Sequence, residues 1–170
     1  MSMTTIEDLS QPAFDLVATW LSNRDINRWL TAEWRDKEVT GTVVAMMVRN
    51  KRNRVFLVRW SGQPVALVAL ADIDAADHTA MIWYLLGEPS FSKRGIVSSA
   101  VRQVAAKGFQ ELKLSSVYAW VLEDNLPSAR VLQKSGFREA GRIRRAASSE
   151  GRQVDRIYFD LLADESLHPL

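Results

Sequence analysis

Cysteine is absent from the 170 residues. That removes disulfides, thiolate metal ligands and cysteine nucleophiles together. Histidine occurs only twice, so a metal site built on imidazoles has no support. No uninterrupted apolar run approaches the roughly 20 residues needed to span a bilayer. The opening stretch MSMTTIEDLSQPAFD carries early acids where a signal peptide carries bases and then an apolar core. A cytoplasmic protein with no membrane partner is expected. The formal net charge is only +2, too slight to argue for a nucleic-acid partner. Basic clusters do occur in VRNKRNRVF and GFREAGRIRR; they read as solvated faces and strand edges, with an RNA surface at Arg49–Arg54 as the weaker reading. Linkers rich in Pro, Gly and Ser are missing, as are repeats, so residues 1–170 read as a single domain.

What is present is apolar periodicity. Phe14, Leu16, Val17, Trp20 and Leu21, following Pro12, predict a first helix. RDINRWLTAEWRDKE places Ile26, Trp29, Leu30 and Trp34 on one face of a second, and VVAMMVRNKR continues helically. From Arg54 the period changes to two. RVFLVRW, the turn SGQP and VALVALADID predict an antiparallel hairpin. AADH then turns into a third strand, TAMIWYLLG. IVSSAVRQVAAKGF spaces Ile96, Val97, Ala100, Val101 and Val104 as an amphipathic helix, with Lys107 in its last turn and Gly108 as its C-cap. LKLSSVYAWVLE is apolar on both faces, as in a central strand. LPSARVLQKSGF is a short helix ending at Lys134 and Gly136, and REAGRIRR and RQVDRIYFDLL close the chain as strands. The order predicts a mixed α/β fold with helices on both faces of the sheet.

Two stretches carry chemistry. In SFSKRGIVSSAV a strand gives way to a helix through Gly95. Such a turn aims backbone N–H groups outward and adds the positive end of a helix dipole, the setting for a phosphate. Lys93 and Arg94 add full charges. An ordinary strand-to-helix turn looks much the same. In LEDNLPSARVLQKSGF a buried strand ends at Asn125, and a helix then stops at Lys-Ser-Gly-Phe. Taken with the glycine turn, this resembles the GNAT superfamily of acyl-CoA-dependent N-acyltransferases. More narrowly, Asn125, Ser128, Leu132, Lys134, Gly136 and Phe137, with the closing EGRQVDRIYFDLL, resemble the branch of ribosomal-protein N-terminal (alanine/serine) acetyltransferases. The resemblance covers about Val55 to Leu162.

The resemblance implies a GNAT-like fold: a central, mostly antiparallel sheet with one splayed parallel strand pair. Residues 1–53 would form a helical cap on the acceptor side and 54–163 a CoA-binding core. Acetyl-CoA would be the acyl donor, with no metal. Its pyrophosphate would lie on Lys93, Arg94, Gly95, Ile96, Val97 and Ser98, and its pantetheine arm along Tyr84, Leu85 and Leu86. Asn125, Ser128 and Lys134 would complete the cofactor side. The chain departs from the family pattern at Ser92, where Arg or Gln is usual, at Val97, where a small residue is usual, and at Leu132, where many relatives carry tyrosine.

Acyl transfer to an amine needs a neutral amine, a stabilised carbonyl oxygen and a proton for the leaving thiolate. The expected oxyanion donor is a strand N–H near Leu85 or Leu86. Ser128 is the expected proton donor, with a helix-capping role as the plain alternative, and Tyr118 stands in reserve. Candidate bases are Asp72, Asp74, Glu88, Glu123 and Asp124, each of which also suits a solvated turn. His78 reads as a surface residue. Trp29 and Trp34 are expected to wall an acceptor pocket; Trp83 and Trp120 read as walls or as core. The expected activity is acetyl-CoA-dependent N-acetylation of a primary amine. The acceptor is a small molecule (amino sugar, antibiotic or amino acid) or a protein N-terminus. A non-catalytic acyl-CoA or ligand-binding module of the same fold is the alternative, and exposed strand edges make a homodimer plausible.

Overall fold

The computed structural model describes residues 3–32, 34, 35 and 37–166. Its strands are β1 (Thr4–Asp8), β2 (Arg54–Trp60), β3 (Gln63–Asp74), β4 (Thr79–Leu86), β5 (Ser116–Leu122), β6 (Arg138–Ser149) and β7 (Arg152–Leu162). Its helices are α1 (Phe14–Ser22), α2 (Arg24–Asn27), α3 (Gly41–Arg49), α4 (Ile96–Glu111) and α5 (Leu126–Lys134). The strands form one sheet in the order β1-β2-β3-β4-β5-β7-β6. Every neighbouring pair is antiparallel except β4 and β5. This is the mixed α/β fold expected from the sequence.

Alternation along the central strands sorts their side chains into two apolar layers. Phe56, Val58, Val68, Leu70 and Ile82 pack with Val101 and Val104 of α4 and Leu132 of α5. Leu57, Leu67, Ala69 and Leu85 pack on the other face with Val17, Trp20 and Leu21 of α1 and Val44 of α3. Strands covered on both faces read as continuous apolar runs, which is why RVFLVRW and VALVAL were recognisable. The β2–β3 turn holds Ser61 and Gly62 at φ of 48° and 86°, the paired left-handed conformation whose twist suits a two-residue hairpin.

Three local expectations are corrected. Thr4–Asp8, assigned to a helical cap, is a strand paired edge-on with β2 from Thr4↔Trp60 to Asp8↔Phe56; five residues are too few for a period of two to stand out. The second helix ends at Asn27 instead of running through Trp34. Asn27 is buried and donates its Nδ2 to the Leu21 carbonyl at 3.1 Å. Beyond it, Leu30 and Trp34 are reached by tight three-residue turns. Arg35 pins that loop through the carbonyls of Leu30 and Ser148. Glu33 and Asp36, which the expected helix included, lie outside the described residues. Finally, Gly108 does not cap α4. The helix runs on to Glu111, and a Cβ at Gly108 would lie 3.0 Å from Leu114 and 3.2 Å from Leu70. The glycine admits close packing there.

Candidate active site

β4 and β5 pair in register at only three positions, Thr79↔Ser116, Ala80↔Val117 and Met81↔Tyr118. Beyond them the strands part, each still held by its outer neighbour, β3 or β7. Which backbone groups face the gap follows from the ladders. Gly87 donates its N–H to the Val65 carbonyl of β3. In an antiparallel pair, alternate residues point the same way, so Trp83 and Leu85 turn their N–H groups to β3. Tyr84 and Leu86, beyond the last registered pair with β5, turn theirs to the gap. Across it, Glu123 bonds to Asp155, and Ala163 to Ser115, which commits the odd-numbered residues of β5 to β7. Trp120 and Leu122 therefore face the gap.

The gap opens into a cavity of about 950 Å³. One end is the turn after β4. Gly95 precedes α4 at φ 74°, Lys93 sits at φ 62°, and no side chain caps the helix. The first-turn N–H groups of Ile96, Val97 and Ser98 are thus left for a ligand. Acidic residues are absent from that turn. The Arg94 guanidinium rests 5.1 Å above the Phe91 ring, and Val97 packs against the core, so its branched side chain does not crowd the turn. On the facing wall, α5 contributes Ser128, Arg130 and Lys134. The Asn125 side-chain oxygen caps α5 by accepting the Ser128 N–H at 3.3 Å. The Tyr84 hydroxyl donates to the Ser128 carbonyl at 2.8 Å. Burial pushes that phenol well above the usual tyrosine range.

The other end is aromatic. Trp29, Trp34, Trp83 and Trp120 all line it. The Trp34 and Trp83 rings lie 6.5 Å apart at 35°. Arg28 covers Trp29 at 4.5 Å and Arg156 covers Trp120 at 4.3 Å. Among the described residues, Asp25 and Asp72 are the acids of the wall.

A splayed parallel pair beside a glycine turn with free N–H groups is an arrangement built for a phosphorylated cofactor with an extended amide arm. Residues 5–138 match the family model of the acetyltransferase (GNAT) domain. The chain belongs to the GNAT acetyltransferase family. It is similar to N-acetyltransferase p20 of Bacillus licheniformis, itself uncharacterized, at 23% identity over 95% of this chain and 93% of that one. It is also similar to YdaF of Bacillus subtilis, named as a ribosomal N-acetyltransferase, at 28% identity over 62% of this chain and 57% of the relative. In fold it is similar to the spermidine N-acetyltransferase of Vibrio cholerae solved with CoA and spermine. The TM-score is 0.86 at 18% identity, covering 97% of this chain and 98% of that one.

As a GNAT enzyme the chain is an acetyl-CoA-dependent acyltransferase, and the site fits that donor. Free N–H groups and cations would meet the pyrophosphate, and strand edges in the gap would meet the two pantetheine amides. Of the residues named from sequence, Lys93–Ser98, Tyr84–Leu86, Asn125, Ser128, Lys134 and the four tryptophans share this one cavity. Leu85 lines it too, but its N–H is committed to β3 and does not face the gap. Tyr118 lies where β4 and β5 are still paired, off the cavity wall, its hydroxyl pushed up by burial first and then by Asp72 and Tyr158.

All five candidate bases have partners, Asp72 through Arg52 at 3.8 Å. Asp74 accepts the N–H groups of Ala76 and Asp77, bonds that hold its carboxyl below the usual range. Glu88 accepts from the Trp20 indole at 3.2 Å, Glu123 from the Asp155 N–H, and Asp124 faces Arg152 at 3.7 Å. Only Asp72 of the five reaches the cavity. His78 is exposed and turns its carbonyl to the Ser115 N–H. Sequence reasoning missed Arg130. Its signal was the spacing to Lys134, which puts both cations on one face of α5.

Proposed function

We propose that the protein acetylates the primary amine of a small molecule with a ring-bearing or apolar body, such as an amino sugar, a drug-like amine or an amino acid. Residues 1–53 supply much of the acceptor side, and residues 54–163 hold acetyl-CoA. The observation that carries this reading is the aromatic end of the cavity, where four tryptophans meet the gap between β4 and β5. Large flat walls suit a ring or alkyl body and a cation held over a ring face.

With the pyrophosphate on the Gly95 turn, the pantetheine arm runs back along β4. Its amides pair with backbone groups of Leu86 and Tyr84, and the thioester arrives near Tyr84 and Ile82. The Tyr84 N–H donates to the carbonyl oxygen as negative charge gathers on it; such a donor is worth about 3–4 kcal/mol of barrier. The amine, neutral after losing a proton to water, forms the new C–N bond as the C–S bond breaks. Ser128, half-buried on the cavity wall, donates its hydroxyl proton to the departing sulfur and is reprotonated with the proton that the new amide nitrogen sheds. Its backbone is fixed from two sides, by Asn125 and by Tyr84.

The test is calorimetric titration with CoA and acetyl-CoA, followed by thiol release with 2-phenylethylamine, glucosamine, spermidine and an N-terminal alanine peptide. Micromolar cofactor binding is expected, with faster turnover of the ring-bearing amines than of spermidine or the peptide. Ser128→Ala should lower kcat about 10²-fold while leaving CoA affinity in place. Absence of cofactor binding at millimolar concentration would refute this reading, and preference for the peptide would shift it to protein N-termini.

A further inference from the structure

We propose that Asp72 is the acceptor-binding carboxylate, taking the ammonium of the incoming amine at the aromatic end of the cavity. The proposal rests on reading that end as the acceptor side. Along β3, Leu67 and Ala69 point to the α1 and α3 layer, and Val68 and Leu70 to the α4 layer. Ala71 lines the cavity, so strict alternation would send Asp72 to the opposite face. It does not go there. The β3–β4 register slips between Ala71 and Asp74, and Asp72 adopts φ 49°. The result is two consecutive residues, Ala71 and Asp72, on the same cavity wall.

A left-handed backbone at a residue other than glycine is disfavoured, and bulges of this kind recur where a side chain has to be re-aimed beside a site. The bulge lies opposite Met81, the last β4 residue in register with β5, so Asp72 stands by the vertex of the gap. Among the described residues, Arg52 and Tyr118 face it. Arg52 lies 3.8 Å away, with both side chains 61% exposed, and Tyr118 feels the aspartate's charge from β5. So exposed an ion pair is held weakly and exchanges readily for another cation. Arg52 is not part of the cavity wall, whereas Trp83 and Met81 are. A primary ammonium can therefore take its place against Asp72 with a ring face beside it.

The test uses tryptophan fluorescence, since four indoles line the cavity. The full chain is titrated with 2-phenylethylamine, a cation at neutral pH, and with 2-phenylethanol, its neutral counterpart. The wild type should bind the ammonium about tenfold more tightly than the alcohol. Asp72→Asn should erase that preference without changing CoA affinity. Asp72→Gly, which accepts the left-handed backbone without strain, should erase it too while raising Tm, so a folding defect cannot mimic the result. Equal binding of the two probes by the wild type, no saturable quenching by either, or a preference that survives in Asp72→Asn would overturn the proposal. These readouts need no turnover, so a failed acetylation assay and a failed Asp72 assignment remain distinguishable.

Discussion

Tyr84 joins two parts of the site through one side chain. Its backbone faces the gap, while its hydroxyl crosses to the Ser128 carbonyl of α5 at 2.8 Å. Tyr84→Phe should lower stability by about 1 kcal/mol, the usual worth of such a bond. The pH dependence has a definite sign. Burial raises the folded phenol above its unfolded value, so its contribution is present in full below about pH 10 and is lost as pH rises beyond that. Urea unfolding should show wild-type stability falling more steeply above pH 10 than that of Tyr84→Phe. A second residue-scale device is Gly87, at the end of β4. A Cβ there would lie 2.1 Å from the Trp20 ring, whose indole is bonded to Glu88. Gly87→Ala must therefore displace Trp20 and should lose about 3 kcal/mol, measured by the same unfolding. Gly95 and Asn125 were legible in sequence because their chemistry is local, a left-handed turn and a helix cap. That the Leu85 N–H is spent on β3, which makes Tyr84 the proposed oxyanion donor, was not. Which way a strand N–H points depends on the partner strand, and no residue type records it.

At the scale of elements, α4 and α5 each bring cations to the cavity. The Gly95 turn offers N–H groups with Lys93 and Arg94, while α5 presents Arg130 and Lys134 one turn apart on the facing wall. With the pyrophosphate on the first pair, as proposed, the second would be left for the 3′-phosphate of CoA. Arg130→Ala should weaken CoA binding about tenfold yet leave dephospho-CoA binding unchanged, as calorimetry would show; equal losses for both ligands would assign Arg130 to the pyrophosphate instead. Amphipathic α4 and the short α5 were readable from spacing and from their glycine stops. The loop after Asn27 was not. Its apolar spacing mimics a helix, but its conformation is set by long-range bonds, Arg35 to the Ser148 carbonyl and Arg28 to Glu150 across the tip of the β6–β7 hairpin. Tertiary contacts of that reach override local propensity.

At the scale of the molecule, the sheet is two half-sheets joined at three registered positions. The first is β1-β2-β3-β4 and the second β5-β7-β6. The sequence order of strands and helices agreed with this architecture, and the resemblance supplied the splay; composition and periodicity alone contain no sign that two buried strands stop pairing. The split has a consequence that hydrogen exchange can read. Tyr84 and Leu86 direct their N–H groups into the gap, where β5 does not meet them, whereas Trp83 and Leu85 are bonded to β3. Without ligand, exchange along β4 should therefore alternate, fast at Tyr84 and Leu86 and slow at Trp83 and Leu85. CoA supplies the missing strand edge. Its addition should slow Tyr84 and Leu86 selectively, with the first-turn amides of Ile96, Val97 and Ser98, and should raise Tm by mass action. Protection arising at Trp83 and Leu85 instead would mean that the ladder parity is reversed and that Leu85 carries the oxyanion role after all. Uniform protection along β4 would mean that the half-sheets close on each other around the ligand, with the gap acting as a hinge.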